Sequence, residues 1–262
     1  MKQIRVIASA FLLVIASACL AQQPSAQPKR VPQAKTQAEF ADYNASYALT
    51  GGAAVEKAAN EFAAKYPDSE LKSFLYSKAM HEYQNENNPN KMLAMGEKVL
   101  ALDPDNPIAL VLTATVLSDN LTDSDADRAK KIQTIKQNAA RALDTINTSF
   151  TPPPNATPEQ VNAYKKTLQS MAHSALGIMD LKVNDDPGAE RELKLAAELN
   201  VAQPDPYIWY HLALAQDHQK KYPEALSSVD QAVKYAGANS DLATLAAAER
   251  DRLSKLAGSP AK

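Results

Sequence analysis

Glycine accounts for only 7 of the 262 residues, and cysteine for one. Ordinary glycine usage is about 7 per cent, so it is depleted more than twofold here. Phosphate-cradling loops, dinucleotide fingerprints and turn-dense β-sandwiches need glycine where φ is positive or backbones approach closely. Composition argues against all three. A single cysteine rules out an intramolecular disulfide. Basic residues are not in excess, with 28 Lys and Arg against 30 Asp and Glu. That balance gives no footprint for nucleic acid. What fills the space is alanine, at 47 residues. Alanine is the best helix former, and its small side chain lets helices pack closely. Together these counts predict an all-helical protein with little nucleotide chemistry.

Residues 1–21 read as a secretory signal. Lys2 and Arg5 open it, Val6 to Ile15 is apolar and too short for a comfortable bilayer span, and the small residues Ala16, Ser17 and Ala18 follow. Its removal leaves a net charge of about −4. Cys19 stands directly after Ala16-Ser17-Ala18, a run that resembles a bacterial lipoprotein processing box. Two readings stay open: lipidation at Cys19, or ordinary cleavage after Ala18 or Ala21. Residues 22–36 are Pro-rich, without aromatics, and are expected to form a disordered linker. The tail 258–262 is expected to be disordered too.

Prolines punctuate the rest. Between them lie apolar stretches of helical period, which predict helices at 37–49, 52–65, 69–86, 90–102, 106–119, 124–146, 158–183, 186–200, 205–220, 223–236 and 239–257. Thr157-Pro158-Glu159-Gln160 has the cap, first-turn proline and third-position Gln of a helix start. Asn106-Pro107 and Asp186-Pro187 are similar.

The helices repeat in pairs. The second members carry Val55, Ala59 and Phe62; Met92, Gly96 and Val99; Ile135, Ala139 and Ala142; Ala189, Leu193 and Ala196; and Ala225, Val229 and Ala232. Spacing of four then three marks one helix face, with small residues where a neighbour must come close. The third pair lacks a short turn between its helices, which leaves its register open. In the fifth pair the order Trp209, Leu212-Ala213, Tyr222, Ala225, Val229, Ala232 resembles the tetratricopeptide repeat. Leu176-Gly177 in the fourth unit and Leu102-Asp103-Pro104 in the second resemble it too.

The resemblance implies a right-handed α-solenoid of about five helix pairs. Pairs 1–3 would span 37–146 and pairs 4–5 would span 158–237, separated by a Pro-rich loop at 147–157. A capping helix at 238–257 would close the stack. First helices would line a concave surface that binds a protein or peptide. The residues placed there are Phe74, Ser77, His81 and Asn85 in the second unit; Ile108, Val111 and Thr115 in the third; and Tyr207, Tyr210, Leu214 and His218 in the fifth. These faces lack the Lys/Asn/Arg set by which some repeats clamp a C-terminal carboxylate.

Other constellations favour structural roles. Asp123, Asp125 and Asp127 have the spacing of a calcium loop, but Arg128 replaces the glycine that loop requires. They read instead as an acidic helix start. His81, His173, His211 and His218 make no metalloprotease motif. The expectation is an exported, non-catalytic binding protein of the bacterial envelope, periplasmic or anchored to the outer membrane. It uses no cofactor, no metal and no nucleic acid. An outer-membrane lipoprotein with a structural role in envelope assembly is the second reading, and an enzyme on a helical scaffold is the third.

Overall fold

A computed structural model describes residues 32–152, 155–237 and 240–257. They form eleven α-helices and no strand: α1 (Gln37–Tyr47), α2 (Gly52–Lys65), α3 (Lys72–Asn85), α4 (Pro89–Leu102), α5 (Pro107–Asp119), α6 (Arg128–Ser149), α7 (Pro158–Lys182), α8 (Asp186–Leu199), α9 (Pro206–His218), α10 (Tyr222–Tyr235) and α11 (Asp241–Ala257). No helix among them is long and apolar enough to cross a membrane. Cys19 and the expected signal lie outside the described residues.

Helix starts follow local chemistry. Proline occupies the first position of α4, α5, α7 and α9, where no N–H is needed. Asn88, Asn106, Asp185 and Asp205 cap their helices with a side-chain oxygen. Thr157 and Gln160 complete a reciprocal capping box. The sixth helix differs from expectation. It begins at Arg128 rather than 124 and runs on to Ser149. Asp125 accepts the Thr122 N–H at 3.0 Å, so the acidic stretch forms a turn ahead of the helix.

The repeat is visible in the turns. Asn87, Asn184 and Lys220 all have positive φ, each two residues before the next helix. At each turn the following N–H bonds back to the helix it leaves. These bonds are Asn88 to Tyr83, Asp185 to Asp180 and Lys221 to Gln216, all at 2.9 Å. This is the six-to-one closure of a left-handed helix stop. The first pair uses Gly51 (φ 85°) instead. The third pair has the longer connection 120–127.

Each helix packs on its neighbours in sequence, and α5 also packs directly on α7. All fifteen second-helix repeat residues are buried, which settles the register of the third pair. A Cβ on Gly96 would run into Thr113, and one on Gly177 into Leu193. Alanine and glycine therefore mark where a neighbouring helix packs its side chains close to the backbone. Gly52 does the same against the Tyr83 ring.

Candidate functional site

A groove of 1340 Å³ opens on the side lined by first helices. One wall is α1, through Phe40, Tyr43, Asn44 and Tyr47. Leu71 and α3 supply the floor, with Phe74, Ser77, Lys78 and His81. Ile108 at the start of α5, the stretch 149–152 and Tyr164 of α7 close the far side. Residues 32–36 also line it, although the sequence assigned them to the linker. They are held there because the Gln33 and Lys35 N–H groups donate to Glu70 and Glu39 at 3.3 and 2.7 Å.

Local sequence explains each wall. Phe40, Tyr43 and Tyr47 fall three and four residues apart, on one face of α1. The Tyr43 ring sits edge-on to Phe62 of α2, with centroids 6.3 Å apart. Burial pushes its phenol up to about 12, so it stays a neutral donor. Phe150 follows the end of α6 and stacks on Tyr164 at 5.1 Å. Lys78 donates to Glu82 at 3.1 Å and lies 5.2 Å over the Tyr47 ring, which places its ammonium on the edge of the groove. The lining combines aromatic area with a few hydroxyl, amide and ammonium groups.

Of the residues read from sequence, the structure brings Phe74, Ser77, His81 and Ile108 together here. Asn85 is exposed at the end of α3, outside the lining. Val111 is a correction. It is fully buried in the α5–α6–α7 core and presents nothing to a partner, because α7 packs directly across that face of α5. Thr115 is half-buried, further along the same helix.

The fifth-unit residues lie elsewhere. The Tyr207 hydroxyl donates to Asp119 of α5 at 3.1 Å, across the end of α7. Tyr210 stands edge-on to His211 and packs against the last core cluster. Leu214 is half-buried. His218 faces Asp186, with 2.8 Å between ring nitrogen and carboxylate.

A polar cluster forms at the α5–α7–α9 junction. Lys182 donates to the Ser118 and Asp119 carbonyls at 2.8 and 2.6 Å, and Arg128 donates to the Lys182 carbonyl at 2.6 Å. These cations satisfy helix C-terminal carbonyls and complement the dipoles. Loss of hydration raises the Asp119 carboxyl and lowers both Lys182 and His211. Such shifts often accompany catalysis. Here the groups are engaged with one another and with helix ends. Asp123 and Asp127 pair with Arg128 and Lys131, and Lys131 also binds Asp125. Among the described residues no three His, Cys, Asp or Glu side chains group to hold a metal ion.

Sequence reasoning missed the α1 aromatics, Phe150 and Tyr164. The spacing of residues 40, 43 and 47 was a signal in plain view. Residues 150 and 164 stack across the α6–α7 connection, and their place opposite α1 and α3 follows from the stacking of successive helices rather than from a local motif.

No protein-family model matches the chain, and no curated protein does. Among solved structures, that of Pseudomonas aeruginosa pilF aligns over 84% of this chain and 90% of that one, with TM-score 0.52 and 16% identity. TTC0263, a thermophilic TPR protein in Thermus thermophilus, aligns over 80% of this chain and 98% of that one, with TM-score 0.44 and 18% identity. The fold is the tetratricopeptide-repeat solenoid.

Proposed function

We propose that this chain is an exported binding protein that holds a protein or peptide partner in its concave groove and makes or breaks no bond. The observation that carries the reading is the 1340 Å³ groove, walled by aromatic side chains from α1, α3 and α7. Helical repeats leave such surfaces because each pair buries only part of its apolar face against its neighbours. Phe40, Tyr47 and Tyr164 remain 53%, 47% and 38% exposed, as rigid anchors awaiting a partner should be. Export rests on residues 1–21, with their basic start, short apolar run and small residues.

Crosslinking in the native envelope, followed by pull-down, tests the reading. The native chain is compared with Phe74→Ala and with Glu224→Ala, an exposed control on α10. The partner should disappear with Phe74→Ala and persist with the control. A partner set unchanged by Phe74→Ala counts against the groove.

A further inference from the structure

We infer that the first occupant of the groove is the chain's own Pro-rich stretch, residues 22–31, which runs back through it in extended form and has to be displaced by any partner. This rests on the concave-face reading and adds a regulation of that same site.

The first argument is continuity. Residues 32–36 already line the groove. Glu70 and Glu39 hold them there through the Gln33 and Lys35 N–H groups, at 3.3 and 2.7 Å. Residue 31 is therefore joined to the groove wall itself. Lipidation at Cys19 and cleavage after Ala18 or Ala21 all leave residues 22–31 on the mature chain. A segment tethered at its site competes at an effective concentration of about 1 mM, so one whose free peptide dissociates at about 0.1 mM fills the groove in about nine molecules of ten.

The second argument is chemistry. Gln22 to Val31 contains Pro24 and Pro28 and no acidic or aromatic residue. Proline favours the polyproline II form, which has no internal hydrogen bonds and docks on aromatic-lined grooves. Phe40, Tyr43, Tyr47, Phe74, Phe150 and Tyr164 supply such a lining. Because proline lacks an N–H, the segment offers more acceptors than donors, and the groove has to donate. Tyr43, Tyr47, Asn44 and Ser77 bring hydroxyl and amide donors to the lining, and none of them donates to another described residue.

Reach and charge agree. Lining residues come from α1, α3, α5 and α7, and four helices at about 8–10 Å between packed axes occupy about 24–30 Å. Residues 22–31 reach about 31 Å at about 3.1 Å per residue. Lys78 pairs with Glu82 at 3.1 Å and Lys35 lies against Glu39, so the lining presents no surplus positive charge to oppose Lys29 and Arg30.

The test uses the mature chain and a second chain in which residues 22–31 are replaced by an equal length of Gly and Ser. The probe is a labelled synthetic peptide with the sequence of residues 22–32, read by fluorescence anisotropy. It should bind the replaced chain about tenfold more tightly than the native one, whose groove is already filled. Tyr164→Ala in the replaced chain should weaken the peptide severalfold with unchanged circular dichroism, since that side chain is partly exposed. A photoreactive benzoylphenylalanine in place of Ala26 in the native chain should crosslink to α3 or α7 of the same molecule.

Equal peptide affinity for the two chains, or none for the replaced one, overturns the inference. So does tight binding indifferent to Tyr164→Ala. Crosslinks that join two molecules overturn it as well and assign the segment to a second copy. If the peptide does not bind while a partner captured from the envelope is still lost with Phe74→Ala, the inference falls and the concave-face reading stands.

Discussion

The first helix pair and the fourth are built from the same repeat, yet they are held together differently. In the fourth, α7 and α8 meet at Gly177 and Leu193, and Ala172, Ala175, Ile178 and Met179 are all buried. Glu190 extends the contact to the fifth pair. It accepts from Lys194 and Lys221 at 2.6 Å each and from Gln219 at 3.0 Å. In the first pair, α1 buries no apolar residue. It is fastened by Asp42, which takes Lys65 at 2.5 Å and Tyr66 at 2.7 Å, and by ring contacts to α2. The difference bears on where the proposed binding would fall. A surface that is already complete has nothing to gain from a partner, whereas α1 leaves its aromatic face unfilled beside the groove.

The contrast breaks most visibly under truncation. Leu193→Ala removes a side chain with 0% exposure at the tightest helix contact, and should cost about 3 kcal/mol. Phe40→Ala, at 53% exposure, should change stability by less than about 0.5 kcal/mol. Urea denaturation of both variants checks the pair. Equal losses would show that the first pair is as tightly packed as the fourth.

Glu190 gives the next effect. Burial by itself would raise its carboxyl, but hydrogen bonds from Lys194, Lys221 and Gln219 overcome that and bring it down to about 2. A depressed folded value contributes stability above the unfolded value near 4.5, and that stability is lost as pH falls toward 2. Both lysines are roughly half-exposed, so solvent screens much of the gain. Glu190→Gln should cost about 1–2 kcal/mol at pH 7. The gap to the native chain should close between pH 4.5 and 2, as a pH series of denaturation curves would show.

Asp180 runs the other way, inside the same dense region. Burial, then repulsion from Asp185, raises its carboxyl to about 6. A raised folded value means the native state takes up a proton between about 3.8 and 6, so its stability is present below that window and lost above it. Asp180→Asn should therefore stabilise the protein at pH 7 by about 1 kcal/mol, with the advantage gone near pH 4. Melting temperatures at the two pH values decide it.

Much of this contrast was legible in the sequence. The four-then-three spacing named the buried faces of all five second helices, from Val55 to Ala232, because close packing leaves a direct mark on residue size. Starts fell within a residue of expectation at Asn106-Pro107 and Thr157-Pro158, whereas α3 begins at Lys72, three residues after the expected 69 despite Pro67 and Ser69. Asp123, Asp125 and Asp127 misled the sixth helix because acidic residues suit a turn as well as a helix start. The site was half legible. Phe74, Ser77, His81 and Ile108 follow from which helix of a pair faces inward. Val111 failed because one repeat does not reveal how much of its inner face the next helix covers. Phe150 and Tyr164 meet across the α6–α7 connection, but that they line the same groove as α1 and α3 depends on how successive pairs stack, which no short window of sequence contains.

The smallest effect is the most discriminating one. Asp42 sits on α1, and its hydrogen bonds from Lys65 and then Tyr66 hold its carboxyl below the usual range. Those bonds fasten α1 to the end of α2, while the fourth pair relies on apolar contact. Asp42→Ala removes them without opening a cavity, since the site is exposed to solvent. Global unfolding should hardly move, because stability in a stacked array is set by neighbouring interfaces and the α1 interface is the weakest. Amide exchange across Gln37–Tyr47 should accelerate severalfold, while that of α7 and α8 stays unchanged. Acidification should mimic the variant as Asp42 is protonated below its ordinary range, leaving Lys65 without its anion. If α1 exchanges as slowly in Asp42→Ala as in the native chain, the aromatic contacts alone hold it. The first and fourth pairs would then differ in composition but not in how firmly they are closed.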